Sequence, residues 1–72
     1  MQNKSELLKS IGLKNGSIVE EYYGNGSFSG TTEIIEIGEY YVFHKPIGID
    51  HRFRDSHNTV LKYLSKGLWR LK

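Results

Sequence analysis

The sequence contains no cysteine and no alanine, and Pro46 is its single proline. Without cysteine, disulfides and thiolate metal sites are excluded, and nothing indicates an oxidising compartment. No stretch approaches the ~20 consecutive apolar residues of a membrane-spanning helix. Residues 1–10 lack the apolar run of a secretory signal, because Leu7 and Leu8 are the apolar side chains that follow Met1. We therefore expect a cytoplasmic protein without membrane association.

The chain of 72 residues has room for one domain, which we expect to span residues 1–72. A domain of this size buries only about 60% of the surface that its unfolded chain exposes, so its hydrophobic core is marginal. With disulfides excluded, a homodimer is one of the remaining means of stabilisation. The absence of alanine, whose codons are GC-rich, is typical of an AT-rich genome and favours a low-GC bacterium or its phage as the source.

The hydrophobic pattern predicts an α+β domain built around a three-stranded antiparallel meander. The expected elements are a short N-terminal helix over residues 3–11, strands over residues 17–23, 28–37 and 40–45, a C-terminal helix from residue 55 or 56 to residue 66, and a short tail over residues 68–72 that could form a further strand. An alternative makes residues 59–64 and 68–71 a hairpin, which would give a small five-stranded SH3-like barrel behind one helix.

Two turns determine how the strands of this meander pair. Asn25-Gly26 is typical of a type I′ hairpin turn, in which both central residues have a positive φ. A second turn at Gly38-Glu39 avoids placing two glutamates opposite each other and pairs Ile37 with Tyr40. Because side chains alternate along a strand, this register predicts one face that carries Ile18, Tyr22, Ile35, Ile37, Tyr40 and Val42.

Two short helices can cover one face of such a sheet, so the other face is expected to remain exposed. An exposed apolar and aromatic face usually marks an interaction site. The predicted protein interface consists of Tyr22, Ile35, Ile37, Tyr40, Val42 and Trp69. A competing interpretation has the tail, with Leu68, Trp69 and Leu71, fold back over this face. The single tryptophan of a small domain is most often the largest piece of its core.

The charge is divided unequally between the two parts of the chain. Residues 1–43 contain three lysines and six glutamates, whereas residues 44–72 contain seven lysines and arginines and two aspartates. Arginine binds phosphate in a bidentate manner, and an aromatic side chain between arginines could stack on a base. The residues that we expect to bind nucleic acid are Lys45, Arg52, Phe53, Arg54, Lys62, Lys66 and Arg70.

Histidine chemistry provides two weaker hypotheses. His51 and His57 with a neighbouring aspartate could bind zinc, but their spacing matches no known signature. A small nuclease could use His44 or His51 as acid or base, with Arg52 or Arg54 stabilising the phosphate. The sequence favours binding over catalysis and indicates no cofactor, no metal and no catalytic residue. We expect a protein that binds RNA or DNA, with a protein-binding regulator or inhibitor as the alternative and the nuclease third.

Overall fold

The computed structural model describes residues 4–72, in which two helices pack on one face of a five-stranded antiparallel sheet. The elements are α1 (Lys4–Ser10), β1 (Ile18–Tyr22), β2 (Phe28–Ile37), β3 (Tyr41–Pro46), β4 (Phe53–Ser56), α2 (His57–Ser65) and β5 (Trp69–Leu71). The strand order is β4-β3-β2-β1-β5, so β1 to β4 form a meander and β5 returns to pair with β1. The prediction of an α+β domain is confirmed.

The predicted number of strands and the predicted place of the second helix are wrong. The sheet has five strands instead of three, because residues 53–56 form a strand where an irregular stretch and a helix cap were expected, and residues 69–71 form a strand within the expected tail. The second helix is followed by β5 and is therefore not C-terminal. The alternative barrel is not confirmed, since residues 57–65 are helical and the sheet is open. The predicted start of the first helix at Asn3 lies outside the described residues.

Local capping fixes both ends of α2. Ser56 is the N-cap, and its hydroxyl accepts a hydrogen bond from the backbone N–H of Thr59. After the helix, Gly67 has a φ of 73°, and the N–H of Leu68 donates to the carbonyl of Tyr63. This is the Schellman arrangement, in which glycine supplies the left-handed conformation. It turns the chain back towards β1, where the N–H of Tyr22 donates to the carbonyl of Leu68.

The β1–β2 hairpin forms where the sequence predicts it, but its turn type is different. Gly26 has a φ of 91°, whereas no non-glycine residue in the described part of the chain has a positive φ, so Asn25 does not. The N–H of Gly26 donates to the carbonyl of Tyr23, and that of Tyr23 donates to the carbonyl of Ser27. These contacts describe a type I turn followed by a glycine bulge instead of the type I′ turn.

The predicted register between β2 and β3 is wrong from the turn onwards, and a bulge in β2 then shifts it again. Four residues lie between the paired Ile37 and Val42, so the predicted two-residue turn at Gly38-Glu39, with Ile37 opposite Tyr40, does not form. Ile37 pairs with Val42 and Ile34 pairs with His44, and the register shifts between Ile34 and Glu36. The extra residue in β2 reverses the alternation of side chains. As a result, Ile34 and Ile37 are both buried on the same side of the sheet, although strict alternation would separate them.

The two faces of the sheet differ in what covers them. The face under the helices, here called the core face, contributes to a cluster of Leu8, Leu13, Val19, Ile34, Ile37, Val42, Val60 and Trp69. The opposite face is called the outer face. Alternation and register place on it Ile18, Glu20, Tyr22, Thr31, Glu33, Ile35, Tyr41, Phe43, Lys45, Arg54 and Arg70. All of these side chains are half-buried or exposed.

Candidate functional site

The outer face brings together several of the residues that were predicted to bind nucleic acid. Arg54 in β4 pairs with Phe43 in β3, and Arg52 precedes it by two residues along the same edge of the sheet. Arg52 lies just before β4, and it lines a cleft together with Glu33, Ile35 and Lys45 of the outer face, so both arginines are on this side of the sheet. We call the group of Tyr41, Phe43, Lys45, Arg52 and Arg54 the β3–β4 patch.

Two of the three arginines, Arg54 and Arg70, contact aromatic rings instead of carboxylates. The guanidinium carbon of Arg54 lies 4.6 Å from the centre of the Tyr41 ring, and that of Arg70 lies 4.2 Å from the centre of the Tyr22 ring. Within residues 4–72, the ion pairs observed are His44–Asp55 and Lys45–Asp50, and neither includes an arginine. The guanidinium groups are thus oriented by stacking and keep N–H donors for an external anion.

A cleft of about 340 Å³ lies beside the patch, and Glu33, Ile35, Lys45, Asp50, His51 and Arg52 line it. Lys45 Nζ is 3.7 Å from Asp50 Oδ1, and both side chains are exposed. Such a long and solvated ion pair contributes little to stability. Lys45 can therefore exchange Asp50 for another anionic partner at low cost.

Phe53 does not lie between the arginines as a base-stacking ring. Alternation along β4 places its side chain on the side opposite to Arg52 and Arg54. Its ring is stacked 6.1 Å from the ring of His44 and meets the ring of His51 edge-on at 4.7 Å. On the outer face, the rings next to the arginines are those of Tyr41 and Phe43.

The remaining predicted basic residues lie away from the β3–β4 patch. Lys62 and Lys66 are exposed and belong to α2 and its C-cap, in the layer on the other side of the sheet. Arg70 is on the outer face but in β5, at the edge of the sheet opposite to β4. The seven predicted residues therefore do not converge on one surface.

The predicted protein interface is divided by the β2 bulge. Ile37, Val42 and Trp69 are buried in the core, so they are not part of an exposed face. Tyr22 and Ile35 are half-buried on the outer face, and Tyr40 is 72% exposed in the turn that precedes β3. The outer face therefore carries half-buried apolar side chains among charged ones, with a different membership from the predicted interface, and Phe43 belongs to it.

The core face contains a polar relay across three strands. Thr32 in β2, His44 in β3 and Asp55 in β4 are connected, with His44 Nδ1 at 3.2 Å from Thr32 Oγ1 and His44 Nε2 at 2.7 Å from Asp55 Oδ2. A carboxylate can only accept, so Nε2 donates to Asp55. Both ring nitrogens of His44 are thus engaged, and its partner Thr32 is fully buried, so this hydroxyl–histidine pair does not reach a substrate. Its side of the sheet is also opposite to the arginines that would stabilise a phosphate.

A pocket of about 170 Å³ lies next to this relay, and Glu21, Tyr22, Ser29, His44, Asp55, Tyr63, Leu68 and Trp69 line it. The indole N–H of Trp69 donates to Glu21 Oε2 at 3.2 Å. The pKa of Tyr63 is raised, first by burial and then by the negative charges of Asp55 and Glu21. The negative charges of both carboxylates therefore disfavour the ionised form of the Tyr63 hydroxyl.

The other two histidines have separate surroundings. His57 is buried at the start of α2, and its Nε2 donates to the carbonyl of Gly38 at 2.8 Å. His51 is exposed and packs against Phe53. Among residues 4–72, no group of three or more histidine, aspartate or glutamate side chains is arranged to hold a metal ion. The proposed zinc site at His51 and His57 is not assembled there.

Sequence reasoning did not identify the pocket. Glu21, His44 and Tyr63, which line it, lie far apart in the chain and belong to no motif. The signal that was present is the alternation of polar residues in β3 and β4, which places His44 and Asp55 towards the core at positions where apolar residues are usual. A buried histidine next to a carboxylate requires hydrogen-bond partners, and one of the two partners of His44, Asp55, lines the pocket.

No model of a known protein family matches this chain, and neither a search of curated proteins nor a search of solved structures gives a match. None of the helices within residues 4–72 is long and apolar enough to cross a membrane. The function must therefore be inferred from the residues and their geometry.

Proposed function

We propose that this protein is a non-catalytic binding protein that engages single-stranded RNA or DNA through the β3–β4 patch. The observation that carries the proposal is the position of Arg52 and Arg54 on one face, with the Arg54 guanidinium stacked on Tyr41 and no arginine in an ion pair in the described part of the chain.

The chemistry of the patch suits a nucleic-acid strand. Guanidinium groups bind phosphate through two parallel hydrogen bonds, and these charge-assisted bonds are about twice as strong as neutral ones. Stacking on Tyr41 orients the Arg54 fork before a ligand arrives, which reduces the entropy lost on binding. Tyr41 is 38% exposed and Phe43 is half-buried beside it, so both rings offer a surface on which unpaired bases can stack.

The charges of the outer face restrict the path that a bound nucleic-acid strand can follow across the protein. Glu20 and Glu33 occupy the middle of this face in β1 and β2, where they would repel phosphates. Arg52 and Arg54 lie at its β4 edge, and Lys45 lies in the neighbouring strand. We expect the nucleic acid to follow the β4 edge and not to cross the sheet. This path favours a flexible single strand over a duplex.

The first test removes the two arginines together. An Arg52→Ala, Arg54→Ala variant is expected to bind a fluorescently labelled poly-dT or poly-U oligonucleotide about tenfold more weakly at low salt. Each phosphate contact that is lost lowers the slope of log affinity against log salt by about 0.7 for a single strand, so the slope should fall by about 1.4. Fluorescence anisotropy over a series of salt concentrations measures both quantities.

The matched control is a Lys9→Ala, Lys14→Ala variant. These two lysines are exposed on α1 and the loop after it, so the variant loses the same net charge at a different place. It should retain the slope of the unmodified protein. A slope that both double variants lower equally would reflect net charge alone, and binding that does not depend on salt would remove the proposal.

A second candidate function is protein binding or self-association through the outer face. Three apolar side chains favour it, namely those of Tyr22, Ile35 and Phe43. They remain partly exposed because both helices of the described chain lie on the other side of the sheet. Apolar side chains left in this state stabilise a complex when a partner covers them. A second copy of this chain is the simplest partner to test.

Self-association predicts a specific effect of Ile35→Glu. A charge in the centre of a buried interface is expensive, so this change should convert a dimer into a monomer and halve the mass measured by light scattering. Tyr40→Glu, in the exposed turn beyond the patch, is the control that retains the dimer. A protein that is monomeric at high concentration before any change would rule out the homodimer.

A further inference from the structure

The pocket on the core face combines features that no function proposed above uses. It lies on the side of the sheet opposite to the β3–β4 patch, and its lining includes two carboxylates and three aromatic or heteroaromatic rings that contact one another. We propose that this pocket binds the head group of an organic cation, namely an alkylammonium or guanidinium group. This proposal is independent of nucleic-acid binding.

The charge of the pocket favours a cation. Glu21 and Asp55 line it, whereas no lysine or arginine does, although the whole chain carries a net charge of +2. One oxygen of each carboxylate is engaged, by the indole N–H of Trp69 for Glu21 and by the ring of His44 for Asp55. No hydrogen bond within residues 4–72 engages the other oxygen of either group. Two acceptors are therefore left to meet an N–H donor.

The rings of the pocket provide a second source of attraction. The rings of Tyr63 and Trp69 are 5.4 Å apart and inclined at 43°, and the ring of His44 meets Trp69 nearly at right angles at 5.0 Å. The face of an aromatic ring carries partial negative charge, and tryptophan binds cations best among the aromatic side chains. These packed rings line the pocket, so a cation bound there meets aromatic surface beside the two carboxylates.

Other ligands fit the same pocket poorly. A phosphate or carboxylate would meet the negative charges of Glu21 and Asp55. A metal ion would need further ligands, but both nitrogens of His44 are engaged by Thr32 and Asp55. A volume of about 170 Å³ admits a small head group and not a nucleobase with its sugar and phosphate. An organic cation satisfies the charge, the rings and the size together.

The experiment uses the intrinsic fluorescence of Trp69, which is the only tryptophan of the chain and lines the pocket. The protein is titrated with n-butylammonium chloride and with methylguanidinium chloride at constant ionic strength. Neutral n-butanol and anionic butyrate serve as ligand controls of similar size. A saturable change of fluorescence with either cation, absent with both controls, is expected. An equal response to butanol, or no saturable response to either cation, would overturn the proposal without any variant.

Two variants locate the binding site. Glu21→Gln keeps the hydrogen bond from Trp69 but removes the charge, and it should weaken binding of the cation at least about tenfold. Glu20→Gln is the matched control, because the neighbouring carboxylate has the same charge but lies on the outer face. Its affinity should remain that of the unmodified protein. Equal weakening by the two variants would show a general effect of charge and contradict the site.

The head group could belong to a free amine or to the side chain of a partner protein. A short peptide with a central lysine and an otherwise neutral sequence distinguishes these sources. If the peptide binds at least about tenfold more tightly than n-butylammonium, contacts outside the head group contribute and the ligand is a protein side chain. If the two bind equally, the ligand is a small amine. Both results support the proposed site and assign its source.

Discussion

Replacement of Trp69 by alanine is expected to lower the free energy of unfolding by about 3–5 kcal/mol. Trp69 is 3% exposed, and its ring contacts those of His44 and Tyr63, so it joins β5 to β3 and α2. Truncation of a buried tryptophan to alanine typically costs about 3–5 kcal/mol. A domain of 72 residues has a total free energy of unfolding of about 4–11 kcal/mol at the usual stability per residue. The free energy lost in the variant is thus a large part of the total free energy of unfolding.

Far-ultraviolet circular dichroism during denaturation with urea measures this effect, since the variant lacks the fluorescent side chain. Trp69→Phe keeps an aromatic ring in the core, so its free energy of unfolding should lie between those of the unmodified protein and of Trp69→Ala. Tyr40→Ala is the matched control, because it removes a large aromatic ring that is 72% exposed and should change the free energy of unfolding by less than about 0.5 kcal/mol. If Trp69→Ala were as stable as Tyr40→Ala, Trp69 would not be the side chain that closes the core.

The parts of the fold that the sequence predicts well are those fixed by local interactions. The predicted limits of β2 agree with the structure at both ends. Ser56 and Gly67 delimit α2 because an N-cap hydroxyl and a glycine with positive φ act within a few residues of the helix ends. Such signals depend on the neighbouring residues alone, and they remain valid whatever the rest of the chain does.

The register of β2 and β3 could not be predicted because it depends on residues outside the hairpin. In the region of the bulge, the N–H of Ile37 donates to the side-chain oxygen of Asn15, and the N–H of Gly16 donates to the carbonyl of Ile34. The loop between α1 and β1 therefore holds both ends of the irregular stretch. Strict alternation considers only the residues of the strand itself, so it does not predict an effect of such a contact. One extra residue in the strand then changes which side chains are buried.

The candidate sites also include features that local sequence predicts and features that depend on contacts between distant parts of the chain. The alternation of arginine and phenylalanine at residues 52–54 indicates an edge with two basic side chains, and the structure places both on the outer face. Phe53 does not share a face with Arg54, because alternation along β4 turns its ring to the opposite side, next to His44. The core-face pocket, by contrast, assembles Glu21, Tyr63 and Asp55 from three separate elements, and only the folded chain brings them together.

The relay of Thr32, His44 and Asp55 leads to the second prediction of large effect. His44 is 6% exposed and Thr32 is fully buried, so a partner that is removed cannot be replaced by bulk water. His44→Leu fills most of the space but leaves the Thr32 hydroxyl without its partner and deprives Asp55 of a charge-assisted bond. These losses together are expected to lower the free energy of unfolding by about 2–4 kcal/mol.

A double-mutant cycle with Thr32→Val isolates the bond between the two side chains. Thr32→Val alone should cost about 1–2 kcal/mol, because it leaves His44 Nδ1 unpaired. In the His44→Leu background, the same change should cost nothing or stabilise the protein, because it removes a buried hydroxyl that has no partner. The double variant is therefore expected to be about 1–2 kcal/mol more stable than the sum of the single changes predicts. Urea denaturation of the four proteins measures this coupling energy.

Thr31→Val is the matched control for this cycle. Thr31 is the neighbour of Thr32 in β2 but faces the outer side and is half-buried, so its hydroxyl keeps access to water. Its effect should be small and should add to that of His44→Leu within about 0.5 kcal/mol. Additivity of Thr32→Val as well would mean that His44 and Thr32 do not stabilise each other. The wall of the core-face pocket would then be held by Asp55 alone, and the orientation of the His44 ring towards Trp69 would need another cause.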